Sequence, residues 1–249
     1  MNLVDKFDEG IVRIWWEERK RHPKTNHYVT DVNCVLDGKL VGKNGCMRKQ
    51  YYDWIGEKPT NIDPTRILFT MVGKILHKYL FKRCWESAGL KVEDEEPFKV
   101  KISGLKFPIS GRVDFIVDSI MVEVKTTQGR GITSKEYGVK YKGVKPETLM
   151  QICFYKEFSK IDCNDYSVFY FGRDNFYRTE FRIDPYLEFD WESAFKRFAQ
   201  VEKCLEKGIV PPDEFPPGQF PCTWCIYETK CALEQENRYD RLSKTENST

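Results

Sequence analysis

Between Pro97 and Thr127, three segments in succession space their apolar residues for strands: Phe98, Val100 and Ile102; Val113, Phe115 and Val117; then Ile120, Met121, Val122 and Val124. Alternation and short β-branched runs are what strands buried against other layers need. The flanks read at helical spacing instead. Asp63 before Pro64 is an N-cap with proline at the first helical position, and Ile67, Leu68, Met71, Ile75, Leu76, Tyr79 and Leu80 repeat until Gly89. Downstream, Pro146 and Glu147 open a helix carrying Leu149, Met150, Ile152, Cys153 and Phe154. Two extended stretches near 166–171 and 176–183 precede a helix over 190–207 that Gly208 stops. Helix, three strands, helix, two strands and helix predict an α/β protein, helices against a mixed sheet.

Around this core the pattern is looser. Leu3, Val4, Phe7, Ile11, Ile14 and Trp15 predict an amphipathic N-terminal helix packed on the body of the protein, ending in the charged run from Glu17 to Arg21. Residues 28–35 are extended or helical, Gly38, Gly42 and Gly45 punctuate a loop, and a basic link runs from Gln128 to Lys145. The regions are thus an N-terminal helical part (1–62), the core (63–208), and a proline-rich, cysteine-bearing C-terminal part with a polar tail (209–249). No stretch approaches the ~20 apolar residues of a membrane span, and no signal-peptide pattern opens the chain, so a cytoplasmic protein is expected. There the nine cysteines are thiols or metal ligands rather than disulfides. A net charge of +2 is too small to argue for nucleic acid by itself.

Charges interrupt the strands at two places. Gly111-Arg112-Val113-Asp114 ends on an acid, and Glu123-Val124-Lys125 follows nine residues later. A buried carboxylate without a partner costs several kcal/mol or more. Alternation puts Glu123 and Lys125 on one face of their strand. Two hard carboxylates and an amine suit phosphodiester cleavage: Asp114 and Glu123, with the carbonyl of Val124, would hold Mg²⁺ or Mn²⁺, and Lys125 would address the water nucleophile. By itself the pattern also describes a salt-bridged strand. His77 lies on the preceding helix one turn after Gly73, a candidate third ligand. Gln151 and Tyr155 share one face of the following helix, placed to bond a phosphate or the lysine.

His77, Asp114, Glu123-x-Lys125 and Gln151-x-x-x-Tyr155, in this order, resemble the RecB-type branch of the PD-(D/E)xK nucleases, over roughly 63–182. The resemblance implies a metal-dependent DNase built on a restriction-endonuclease-like core.

Cys222-x-x-Cys225 followed by Cys231 has metal-ligand spacing and needs a fourth thiolate; Cys46 is the best donor and Cys34 its rival. Cys84, Cys153, Cys163 and Cys204 read as packing residues. Zinc and a four-iron cluster both fit four cysteines. One cysteine before the core and three after it, with Cys46-x-Arg48-Lys49-x-Tyr51-Tyr52 at the first, resemble the CRISPR-associated RecB-like exonucleases, the fourth Cas family, and the nuclease end of AddB. That resemblance spans about 28–233 and implies a [4Fe-4S] cluster on Cys46, Cys222, Cys225 and Cys231. It also implies exonuclease or endonuclease activity on single-stranded DNA ends and products handed to a CRISPR integrase complex. Arg48, Lys49, Tyr51 and Tyr52, and Lys140, Tyr141 and Lys142, interleave cations with rings as single-stranded DNA contacts do, and as loops over a core also do. A phage or repair recombination nuclease shares this chemistry; a metal-stapled DNA-binding protein with an idle site shares the cysteines. Homo-oligomerisation is left open.

Overall fold

The order of edges around one strand explains the shape of this protein. A computed structural model describes residues 2–21, 24–32, 34–36, 39–41, 46–215 and 221–236. Strand β4 (Val92–Val100) pairs antiparallel along the whole length of β5 (Ile109–Val117) and so fills one of its two edges. The other edge is shared. At its far end β5 pairs with β6 (Ile120–Thr127) only from Phe115↔Val122 to Val117↔Ile120, and at its near end with the two-residue β1 (His27–Tyr28) at Ile109 and Ser110. Between these pairings, over 111–114, the sheet forks.

The fork comes with a slip in side-chain alternation. Val113 and Phe115, two apart, should share a face. Instead Val113 packs with Met150, Ile152 and Phe198, whereas Phe115 packs with Phe81, Val122 and Val124. Ile116 then returns to the first cluster. The strand changes faces at Asp114.

Beyond β6 the sheet continues through β7 (Asp165–Gly172), parallel to it, and β8 (Arg178–Ile183), antiparallel, making six strands in a mixed sheet. A parallel pair needs a long crossover. Here it carries α5 (Arg130–Thr133), α6 (Val139–Lys142) and α7 (Pro146–Phe158). The first two, set in what reads as a link, are single turns pinned by buried Ile132 and Val139. Helix α7 and α8 (Trp191–Lys207) cover one face of the sheet; α3 (Pro64–Leu76) and α4 (Lys82–Ser87) cover the other. Helices therefore flank the sheet on both sides.

Local chemistry sets the helix ends. The Asp63 side chain accepts from the N–H of Thr65 at 2.9 Å. Asp190 caps α8 through Ser193 at 2.9 Å, and Gly208 ends it at φ +62°. Helix α1 (Leu3–Arg21) packs through buried Ile11, while Leu3, Val4, Phe7 and Ile14 stay exposed. Helix α2 (Met47–Trp54) runs beside α8, and β2 (Cys34–Leu36) pairs with β3 (Lys39–Val41) as a separate hairpin. No helix among the described residues is long and apolar enough to cross a membrane.

Two expectations shift. The first core strand begins at Val92, because the acidic residues Glu93, Asp94 and Glu96 ride an edge strand, where side chains reach water. Ile102 falls outside it. The helix read over 63–89 widens into a π-turn at His77–Phe81. Gly38, Gly42 and Gly45 lie outside the described residues, as do Pro216 and Pro217.

The short β1 is held by chemistry that the sequence spreads over 175 positions. Buried His27 donates from Nε2 to Glu202 Oε1 at 2.9 Å and stacks on Phe198 with centroids 4.3 Å apart. Burial lowers its pKa against the pull of Glu202, leaving a neutral imidazole. Glu202 also accepts from the N–H of Lys106 at 2.9 Å and of Phe107 at 3.0 Å. Glu202→Ala strands the buried His27 donor and leaves two less buried N–H groups, of Lys106 and Phe107, to find other partners, and is expected to cost about 2–3 kcal/mol in chemical denaturation. Glu202→Gln, which keeps an acceptor, should cost less; equal losses would remove this account.

Candidate active site

Asp114 sits in the fork and uses its side chain where β5 lacks a backbone partner. Its Oδ2 accepts from the N–H of Val124 at 2.9 Å, and its Oδ1 lies 3.7 Å from His77 Nδ1. His77 begins the π-turn, with its ring 5.5 Å from that of Phe81 and 6.0 Å from that of Phe115. One turn earlier, a Cβ on Gly73 would stand 2.8 Å from Thr126 Oγ1, so the absent side chain lets α3 ride close over β6.

Glu123 and Lys125 share the face of β6 turned to α7, while Val122 and Val124 enter the opposite cluster. Lys125 Nζ donates to Glu123 Oε1 at 2.5 Å and to Gln151 Oε1 at 2.8 Å. The second oxygen of Glu123, Oε2, is buried without a hydrogen-bond partner. Burial, and next the negative charge of Asp114, push the Glu123 carboxyl up to about 7, against the pull of Lys125. Burial also opposes the charge on Lys125, but the attraction and hydrogen bond of Glu123 outweigh it and hold the ammonium charged. Burial and then the carboxylates of Glu123 and Asp114 push the Tyr155 hydroxyl well up, so it stays a donor.

The six positions read as one site therefore meet. Two carboxyl groups, Asp114 and Glu123, thus face the single ammonium of Lys125. A divalent ion would favour the ionised form of both, and the partnerless oxygen of Glu123 suits such a ligand. Among the described residues no three His, Cys, Asp or Glu side chains stand together as a ready ligand set. The carboxylates are turned to Lys125 and to the Val124 N–H instead. A cleft of about 310 Å³ reaches Lys125 and Gln151, and another of about 610 Å³ reaches Tyr155 and Arg112; Thr30 borders both.

Four cysteines from the two ends of the chain come near one another. Cys46 precedes α2, and Cys222, Cys225 and Cys231 lie between a 3₁₀ turn (Cys222–Trp224) and a helical stretch over 228–236. Cys225 lies within electrostatic reach of each of the other three thiols. Burial raises all four, Cys46 to about 12 and Cys231 to about 11. Soft thiolate donors are what zinc and iron-sulfur clusters take, and these four half-buried thiols do not stand as a ready ligand set. The side chain of Cys34 lies outside the described residues. Of the cysteines read as packing residues, Cys153 is core and Cys163 and Cys204 pack at cluster edges, but Cys84 is exposed on the outer side of its short helix.

The same region corrects one proposed DNA contact. Arg48, Tyr51 and Tyr52 are buried. Arg48 donates from Nε to the Pro211 carbonyl at 2.8 Å, and Lys49 pairs with Asp53 at 3.1 Å. Tyr52 and Tyr51 pack with Tyr227 against Cys225 and Cys231. Rings and cations interleave here because a small core needs both. Lys140, Tyr141 and Lys142 are exposed. The sequence reading missed His27 with Glu202, and Tyr227, whose hydroxyl donates to Asp53 at 2.8 Å while Arg19 pairs with the same carboxylate.

No family model matches the chain, and no curated protein matches it in sequence. Among solved structures it is similar to one described as the crystal structure of SSO0001, with a TM-score of 0.50 and 17% identity over 89% of this chain and 93% of the other. At that identity the likeness concerns the fold alone: a mixed α/β chain following a related path.

Proposed function

We propose that the protein is a divalent-metal-dependent deoxyribonuclease with a PD-(D/E)xK core, acting on single-stranded DNA ends, and that Cys46, Cys222, Cys225 and Cys231 hold a [4Fe-4S] cluster. The observation that carries the first reading is the buried, partnerless Oε2 of Glu123, placed between the charge of Asp114 and the ammonium of Lys125. Asp114, Glu123, the Val124 carbonyl and His77 would hold Mg²⁺ or Mn²⁺, which when bound supplies a Lewis acid for the phosphate and lowers the pKa of water. The chain supplies the rest. Gln151 fixes the Lys125 ammonium by its hydrogen bond, so the amine points into the cleft instead of swinging. Lys125 in turn orients the attacking water and balances charge building on the phosphate. Tyr155, kept protonated, donates to a phosphate oxygen.

By resemblance of these residues to the CRISPR-associated RecB-like nucleases, the trimmed DNA would pass to an integrase complex. The test is incubation of anaerobically purified protein with end-labelled single strands and Mn²⁺, with and without EDTA. Progressive shortening that EDTA abolishes is expected; intact strands with Mn²⁺ and Mg²⁺ alike would remove the enzyme.

A further inference from the structure

One face of α3 carries more than the active-site histidine. Residues 66, 69, 73 and 77 follow one another at spacings of three and four, a single stripe along the helix. At one end, Arg66 lays its guanidinium 4.3 Å from the centroid of Trp224 and donates from Nη1 to the Trp224 carbonyl at 3.4 Å. One turn on, Arg173, from the β7–β8 turn, stacks 4.4 Å from the centroid of Phe69 and donates from Nη1 to the Phe69 carbonyl at 2.9 Å. Then come Gly73, against Thr126, and His77, against Asp114.

Both rings are open to solvent, Trp224 64% and Phe69 37% exposed. Two arginines hold two aromatic rings in place along α3, the helix that His77 follows. A stacked guanidinium still offers N–H groups to a phosphate, and a ring held by it offers its other side to a base. Asp63, 3.3 Å from Arg66 Nε, and Asp174 beside Arg173 limit the positive charge. Arg173 nevertheless keeps a buried Nε without a partner.

We infer that Arg66–Trp224 and Arg173–Phe69 form a docking ridge for an unpaired nucleic-acid strand, whose bases stack on the two rings while its backbone runs along α3 toward His77. The inference deepens the nuclease reading and depends on it only for what happens at the end of the ridge. Stacking favours a single strand because duplex bases already stack on one another. Trp224 lies inside Cys222-x-x-Cys225, so the cysteine-bearing turn sets the position of the outermost ring.

The test measures binding apart from cleavage. Fluorescently labelled single strands are titrated with wild type, Trp224→Ala, Phe69→Ala and Trp224→Phe in EDTA, by anisotropy. Each alanine variant is expected to bind roughly five- to a hundredfold more weakly, and Trp224→Phe close to wild type. A strand of abasic sugars should bind weakly and equally to all four. Unchanged affinity in both alanine variants, an undiminished abasic strand, or the same loss for duplex would overturn the ridge. Unchanged melting and metal content in the variants shows that the fold is intact; if Trp224→Ala fails there, Phe69→Ala decides alone. A protein that binds through the ridge and cuts nothing loses the nuclease reading and keeps this one; one that cuts with unaltered KM in both alanine variants does the reverse.

Discussion

Glu123→Gln should abolish cleavage and, in the metal-free protein above neutral pH, make the fold more stable. The loss of activity, on the order of a thousandfold, follows if Glu123 is a ligand and the partner that sets Lys125, since acid-base and electrostatic contributions of this kind are each worth about 10²–10⁴. The gain in stability follows from the sign of its titration. The Glu123 carboxyl is raised to about 7 in the folded chain, by burial first and by Asp114 second. A raised carboxyl contributes stability that is complete below the unfolded pKa of about 4.3 and is lost as pH rises through the folded value. Glutamine cannot ionise, so it escapes that loss, which is on the order of 3 kcal/mol for a shift of this size. Melts in EDTA at pH 5 and pH 8 should show a gap between variant and wild type that opens only at the higher pH. A gap of the same size at both would show that the Glu123 titration is not the cause. Lys125→Ala is the contrasting case: it should lose activity with no such gain, because it takes away the partner and leaves the acid.

Cys225→Ala should bleach the purified protein and lower its stability by about 5 kcal/mol or more. Cys225 is the thiol within reach of the other three. Tying Cys46 to Cys231 closes a loop over most of the chain, and cross-links of that span stabilise by several kcal/mol before the metal-ligand bonds themselves are counted. The C-terminal segment has other ties, among them Tyr52 to Glu234 at 2.5 Å and Thr60 N–H to the Ile226 carbonyl at 2.8 Å, so it should loosen rather than leave. Visible absorption, iron and zinc content, and a thermal melt test this together. Cys84→Ala, at an exposed thiol away from the centre, should change none of them. A colourless, iron-free wild type would remove the iron-sulfur cluster, with zinc content deciding whether another metal takes its place.

Local signals made much of this legible. Asp63-Pro64 announces the start of α3, Asp190 and Gly208 bracket α8, and the alternation around Val113 and Val122 marks buried strands. The constellation from His77 to Tyr155 was visible as a set of residue types at suitable intervals. What the linear pattern could not carry is pairing. Nothing in Gly111-Arg112-Val113-Asp114 tells that β1 and β6 take turns on one edge of β5, because the partners are set by tertiary contacts. Nor could Tyr51 and Tyr52 be assigned from composition, since the same rings serve a surface or a core; burial against Tyr227 settles their place. The π-turn at His77 is equally silent, as its residues are ordinary helix formers.

The irregularity in β5 restricts how this chain could lose its acid. β4 pairs with β5 in one unbroken register on both sides of Asp114, so deleting residue 114 would slip everything upstream by one place against β4 and turn its side chains to the other face. Exchanging the side chain leaves that register intact and costs only the acceptor of the Val124 N–H. A relative that keeps this fold without the acid should therefore keep the residue count of the strand and show a different amino acid at the fork.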